Sequence, residues 1–376
     1  MSIRCIYKFI IYLLLYSSFF TGYCAKKSAL VIDFASGKTI LDKDSASVRY
    51  PASLTKMMTI YLVFEAIRQG KISLSTKFKV SKLATIQAPS KLNLHVGEKI
   101  AVLDLIRALI VKSANDAAVV VAEGLCGNVE AFCRRMTAKA RQLGMLKTYF
   151  VNPSGLPNPR QVTCAKDIAT LGISLFRNFP QYWHLFSIKS FPYRGRTYHT
   201  HCKIINWCKG TDGGKTGFTA SSGFNLFVTA KRYNPKGDSK RVFVVVMGGD
   251  SSKSRDLYAA FLINRFLDGF TICSPVKKLP APKPADKNKN KTKDKKRISL
   301  MKQIDQEKKT KIPPPPDETI INEVESFSVS ELLKAEKVLM DDIDVIYEDD
   351  EEVVTIEEEI NVKELLSKDN KERNKP

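Results

Sequence analysis

The sequence predicts an α/β fold of the α+β kind, in which strands from the two ends of a segment of about 245 residues share one sheet while helices occupy its middle. Three observations lead there. Apolar runs at Ala29–Phe34 and Thr39–Leu41 flank the turn residues Ser36 and Gly37 and read as a β-hairpin. Strand-like runs return only at Phe224–Lys231 and Arg241–Met247. Between these two groups the apolar residues recur at helical spacing.

The elements follow in order. Residues 1–24 carry Arg4 and Lys8, then the apolar run FIIYLLLYSSFF, then Gly22 and Cys24. The run is shorter than the roughly 20 residues of a membrane-spanning helix, so it reads as a cleaved secretory signal. Tyr23 before Cys24 argues against a lipidated cysteine. After the hairpin, Pro51 suits the first turn of a helix, and Met57, Met58, Tyr61, Leu62 and Phe64 repeat at three- and four-residue intervals. Ser53 thereby stands at a helix start. Further helices are expected at 104–112, 116–125, 129–143 and 165–178; Asn128 caps the third and Gly144 closes it. A last amphipathic helix spans Ser254 to Leu267. The main folded unit is placed at residues 25–276. A basic Lys/Pro-rich linker follows at 277–316, then an acidic, mostly disordered tail at 317–376, whose composition cannot bury enough apolar surface to fold alone. Helical patterns at Val329–Met340 and Glu359–Leu366 are candidate segments for an unknown partner.

The net charge of +21 over 376 residues is unevenly spread. Residues 25–276 hold 37 Lys and Arg against 15 acidic residues, 277–312 hold 14 against 4, and 313–376 hold 7 against 20. A basic exported domain suits an anionic cell-wall polymer or membrane face. Nucleic acid is not expected as a partner, because no basic-aromatic reading motif accompanies the charge. Six cysteines follow the signal, at 126, 133, 164, 202, 208 and 273. In an oxidising compartment they permit up to three disulfides of open connectivity. Their spacings fit no zinc pattern, and His199-Thr200-His201 reads as ordinary histidines. No metal or cofactor is expected.

Three short motifs carry chemistry. Ser53 and Lys56 form S-x-x-K at the helix start, where residues three apart share a face and an amine can take the hydroxyl proton. The same tetrad recurs at Ser274 and Ser299, in or beside lysine-rich sequence that supplies it by chance. Ser113-Ala114-Asn115 and Lys215-Thr216-Gly217 follow Ser53 in order. For Lys56 to act as a base near pH 7 its pKa must be lowered by burial and by a second cation, for which Lys215 is the candidate.

The ordered set S-x-x-K, S-x-N, K-T-G is that of β-lactamases and penicillin-binding proteins. PASLTKMMT, LIVKSANDAAVVVAEGL, NPSGLPNPRQVTCAKDIATL and DGGKTGFTASSGFNLFVTAKR narrow it: from about Ser28 to Phe270 the chain resembles the low-molecular-mass penicillin-binding proteins with D-alanyl-D-alanine carboxypeptidase activity. That resemblance implies a β-lactamase/transpeptidase-like fold, a five-stranded antiparallel sheet flanked by helices with an inserted helical lobe. It implies Ser53 as nucleophile, Lys56 as base and Ser113 as proton relay to the leaving D-alanine. Asn115 would meet the substrate backbone, and Lys215 and Thr216 its terminal carboxylate. Gly217 would let the substrate approach the strand, and the N–H groups of Ser53 and Phe218 would hold the oxyanion. The expected substrates are peptidoglycan stem peptides, with β-lactams as covalent inhibitors. The expected location is the periplasm or cell envelope, soluble or peripherally associated with the outer face of the inner membrane. A D,D-endopeptidase acting on cross-links and a catalytically idle wall-binding scaffold are the competing readings. The chain departs from relatives at Phe218, where some carry histidine, and after Pro275.

Overall fold

The computed structural model describes residues 27–271. The expected signal, linker, acidic tail and Cys273 lie outside them. Strands β1 (Ser28–Asp33) and β2 (Thr39–Lys43) form the expected hairpin. A 3-10 turn at Ala52–Thr55 runs into α1 (Lys56–Arg68). The lobe that follows comprises β3 (Lys77–Lys79), α2 (Lys82–Thr85), β4 (Lys99–Ala101), α3 (Val102–Arg107), α4 (Asn115–Cys126) and α5 (Val129–Gln142). Then come α6 (Ala165–Asn178), the hairpin β5 (Ser190–Tyr193) and β6 (Arg196–His199), and α7 (Ile204–Trp207). The chain returns to the sheet with β7 (Thr211–Thr219), β8 (Gly223–Tyr233) and β9 (Ser239–Gly249), and α8 (Ser252–Phe266) closes it.

The main sheet has five antiparallel strands in the order β2-β1-β9-β8-β7. Its middle joins the two ends of the domain, with Leu30 opposite Val245 and Val31 opposite Val244. Side chains alternate along a strand, so the sheet lines two cores. Leu30, Phe227, Phe243, Val245 and Met247 face the larger one, with α1 and the helical lobe. Ala29, Val31, Leu226, Val228, Val244 and Val246 face the other, with Ala259, Ala260, Leu262 and Ile263 of α8. Helix α1 is buried from Lys56 through Ala66, as suits a helix apolar all round. Its first turn is thereby set deep in the molecule, next to the edge strand β7.

Most boundaries agree with expectation within two or three residues, including the Asn128 cap, whose side chain accepts from Ala131 N at 2.8 Å. The helix expected at 104–112 stays α-helical only to Arg107 and widens into a π turn over Ala108–Lys112. It stops because Ser113 is left-handed, at φ 58° and ψ 35°, and the Ala114 N–H returns to the Ala108 carbonyl at 3.1 Å. Strand β7 carries no strand-like apolar run: Gly213 and Gly214 lie against the Trp183 ring and the Cys202 sulfur, where a Cβ would come within 2.8 and 2.7 Å. The expectation of disulfides finds no bonded pair among the described cysteines. Cys126, Cys133, Cys164, Cys202 and Cys208 are free thiols, and burial pushes Cys133 and Cys202 up to about 12 and Cys208 to about 11.

Candidate active site

The 3-10 turn that presents Ser53 is held from three sides. Asn225 of β8 donates to the carbonyls of Tyr50 at 3.0 Å and Pro51 at 3.3 Å. Gly217 of β7 passes so close that a Cβ there would lie 2.9 Å from Ser53 N. Gly155, at φ +95°, abuts the turn from the third side, where a Cβ would come within 1.9 Å of the Ala52 carbonyl oxygen. Ala52 itself is left-handed at φ 45°. Two non-glycine residues in that region, Ala52 and Ser113, therefore flank the chemistry, each costing on the order of 1–3 kcal/mol that the surrounding packing must offset.

Lys56 lies one turn on and is fully buried. Its Nζ reaches three acceptors: Ser53 Oγ at 2.8 Å, Asn115 Oδ1 at 2.7 Å and the Ser154 carbonyl at 2.7 Å. As a neutral amine it can donate to the last two and turn its lone pair to the Ser53 hydroxyl. Burial depresses its pKa well below the usual lysine value, Lys215 adds to this through like charge, and Asp116 opposes it.

From β7, Lys215 Nζ donates to Ser113 Oγ at 2.9 Å and to the Thr216 carbonyl at 2.8 Å. Burial lowers its pKa to about 7; nearby Cys202 opposes that shift and Arg255 adds to it. Asn115 begins α4, and its Nδ2 donates to the carbonyls of Ala88 at 2.9 Å and Pro89 at 3.0 Å. Thr216 is buried on the same edge strand. Phe218 is 54% exposed at the lip and stacks on Phe224, with ring centroids 4.1 Å apart. Ser53, Lys56, Ser113, Asn115, Lys215 and Gly217 are thus brought together from four elements and the turns beside them, with Thr216 and Phe218 alongside on β7.

Other participants carry no motif of their own. Ser154 contributes only its carbonyl. The segment bearing it is tied down by Thr59 Oγ1, which donates to the Pro153 carbonyl at 2.7 Å, and by Gln161, whose Oε1 accepts from the N–H groups of Val151 and Asn152. The phrase NPSGLPNPRQ contains this segment, and its repeated Pro and Gly are the signal that could have singled it out. Arg255 is buried, paired with Asp256 at 2.7 Å, and sends positive charge toward Lys215.

A profile of the family described as D-alanyl-D-alanine carboxypeptidase matches residues 22–251. The chain is 34% identical over 259 residues to D-alanyl-D-alanine carboxypeptidase DacA of Haemophilus influenzae, covering 68% of this chain and 64% of that one. It thus spans just under two thirds of the length of that relative. Among solved structures it resembles penicillin binding protein 5 of Haemophilus influenzae, at 32% identity and a TM-score of 0.60 over 63% of this chain and 69% of the other. It also resembles penicillin-binding protein D2 of Listeria monocytogenes in its ampicillin-bound form, at 27% identity and a TM-score of 0.56 over 63% of this chain and 96% of the other.

Proposed function

The chain belongs to the D-alanyl-D-alanine carboxypeptidase family, and from that premise we propose that it is a serine-type D,D-carboxypeptidase that removes the terminal D-alanine from peptidoglycan pentapeptide side chains. The observation that carries this reading is the 2.8 Å contact between Ser53 Oγ and the amine of a fully buried Lys56. Neutral Lys56 takes the Ser53 proton as Oγ attacks the carbonyl of the penultimate D-alanine. The oxyanion is met by the backbone N–H groups of Ser53 and Phe218, the former aided by the positive end of the α1 dipole. Ser113, bonded to Lys215, relays to the departing D-alanine amine the proton that Lys56 took from Ser53, so that Lys56 is neutral again for the second step. Water then attacks the ester and returns Ser53. Lys215 and the Thr216 hydroxyl hold the substrate's terminal carboxylate, so a free C-terminus is selected, and Asn115 pairs with the substrate backbone.

β-Lactams acylate the same serine. The basic charge of the domain and the signal-like start support an envelope location, at the anionic wall. No helix among the described residues is long and apolar enough to cross a membrane. The test is labelling with a fluorescent penicillin beside incubation with a defined pentapeptide. Wild type gives a Ser53 adduct and released D-alanine, and Ser53→Ala gives neither; an adduct that persists in Ser53→Ala removes the nucleophile assignment.

A further inference from the structure

Asp116, in the first turn of α4, is fully buried and has no part in the mechanism above. Its Oδ1 accepts from the N–H groups of Leu92 at 3.1 Å and Ala117 at 2.9 Å, and its Oδ2 from that of Leu94 at 3.2 Å. All three partners are donors, so the ionised carboxylate fits and a proton on it would find no acceptor among them. Two of these bonds reach out of the helix to the segment 88–94, which is stitched to the site at its other end as well. The Ser90 carbonyl accepts from Asn115 N at 2.7 Å, and Ser90 Oγ donates to the Lys112 carbonyl at 2.8 Å. Just before these ties in the chain, the carbonyls of Ala88 and Pro89 take both hydrogens of the Asn115 amide. An amide whose NH2 is so occupied can only turn its oxygen to Lys56.

We propose that Asp116 is a positioning residue: it fastens the segment 88–94 to the start of α4, and the fastened segment holds the Asn115 amide in the orientation that aims Lys56 at Ser53. The role rests on the carboxypeptidase reading, because it assigns Lys56 as base. The arrangement also places a negative charge near that base. The charged groups facing it are Lys56 of α1 and Lys91 of the segment itself, with Lys215 of β7 acting on Lys56 from the other side. Burial raises the Asp116 pKa above the usual carboxylate value, and the N–H bonds hold it back. Since Asp116 raises the Lys56 pKa, losing its charge lowers that pKa, and the pH at which Lys56 becomes a base falls.

The experiment follows the rate of Ser53 acylation by a labelled penicillin against pH in full-length wild type, Asp116→Asn and Ser90→Ala, with circular dichroism and melting to establish that each is folded. Asn keeps one acceptor oxygen but presents NH2 to a backbone N–H. Acylation is expected to slow by roughly ten- to a hundred-fold, the scale of a misplaced catalytic group, with the acid limb moved to lower pH. Ser90→Ala loosens the segment without touching the charge, so it slows acylation several-fold with the limb unmoved. A folded Asp116→Asn at the wild-type rate, or slowed with an unmoved limb, overturns the proposal. If Asp116→Asn does not fold, Ser90→Ala decides: slowing supports the role and a wild-type rate overturns it. A wild type that fails to label at Ser53 overturns the carboxypeptidase reading itself, whereas labelled wild type with unaffected variants removes only the role of Asp116.

Discussion

At the scale of single residues, the proposed mechanism divides the work between two lysines through their protonation states. Burial depresses both, but Lys56 is held well below its ordinary value with Lys215's charge contributing, while Lys215 is lowered to about 7. The proposed chemistry needs a pH at which Lys56 has lost its proton while Lys215 still holds its own, the combination that a base and a carboxylate clamp require. Acylation rises with pH as Lys56 loses its proton and falls on the alkaline side as Lys215 loses its own. In Lys215→Met the depressing charge is gone, so the Lys56 pKa rises. The acid limb of penicillin acylation then moves to higher pH, the alkaline limb disappears, and the rate falls by about 100-fold or more with the lost electrostatic stabilisation. A pH–rate profile of labelled-penicillin acylation checks all three, and an unmoved acid limb would show that Lys215 does not set the state of Lys56. These residues were legible in the sequence because a hydroxyl, an amine and an amide are each required by type. The Ser154 carbonyl was not, since any residue supplies one, and Asp116 was visible only as a neighbour of Asn115.

At the scale of elements, the position of Ser53 depends on backbone closeness that side-chain patterns do not encode. Gly155 is the sharpest instance, since an added Cβ meets the Ala52 carbonyl at 1.9 Å and Ser53 N at 2.9 Å, both backbone atoms of the turn. Gly155→Ala must therefore displace the turn or the NPSG segment, besides straining a residue at φ +95°. A cost of about 2–4 kcal/mol is expected, a fall in Tm of roughly 5–10 °C for a domain of this size. Ser53 acylation should slow by about ten-fold or more, because the displaced atoms carry the nucleophile. Calorimetry and a labelling time course check both, and wild-type values would mean that the contact does not hold the turn. The hairpin, α4 to α6 and the last helix were legible because each repeats its apolar residues at its own period. Strand β7 was not, because an edge strand built around Gly213, Gly214 and Gly217 carries little apolar signal. The π turn before Ser113 was hidden in the same way, since Ala-Leu-Ile-Val-Lys reads as the continuation of a helix and only the left-handed backbone of Ser113 ends it.

At the scale of the whole molecule, the distribution of carboxylates decides what becomes of a penicillin once it has reacted. A class A β-lactamase hydrolyses its penicilloyl ester with a glutamate that activates water, placed between the S-x-N and K-T-G motifs. Here the acids between Ser113 and Lys215 are Asp116, Glu123, Glu130, Asp167 and Asp212. Asp116 is taken up by three backbone N–H groups. Glu123 lies eight residues along α4 from Asn115, about 12 Å at the helical rise, and Glu130 pairs with Arg134 on the surface of α5. Asp167 accepts from Lys147 N at 2.9 Å and Thr148 Oγ1 at 2.7 Å and so ties α6 to the segment before it. Asp212 is held by both terminal nitrogens of Arg241, at 2.7 and 2.5 Å. None of these carboxylates is hydrogen-bonded to Ser53, Lys56, Ser113 or Lys215. Deacylation then rests on Lys56 and its neighbours, and a bulky penicilloyl group, which unlike D-alanine does not depart, obstructs the approach of water to that amine. The penicillin adduct on Ser53 is accordingly expected to outlive the peptide acyl-enzyme by orders of magnitude, which makes penicillin an inhibitor of D-alanine release. Mass spectrometry of adduct decay, run beside steady-state penicillin hydrolysis, checks this, and rapid multiple turnover of penicillin would mark a β-lactamase and displace the proposed carboxypeptidase function.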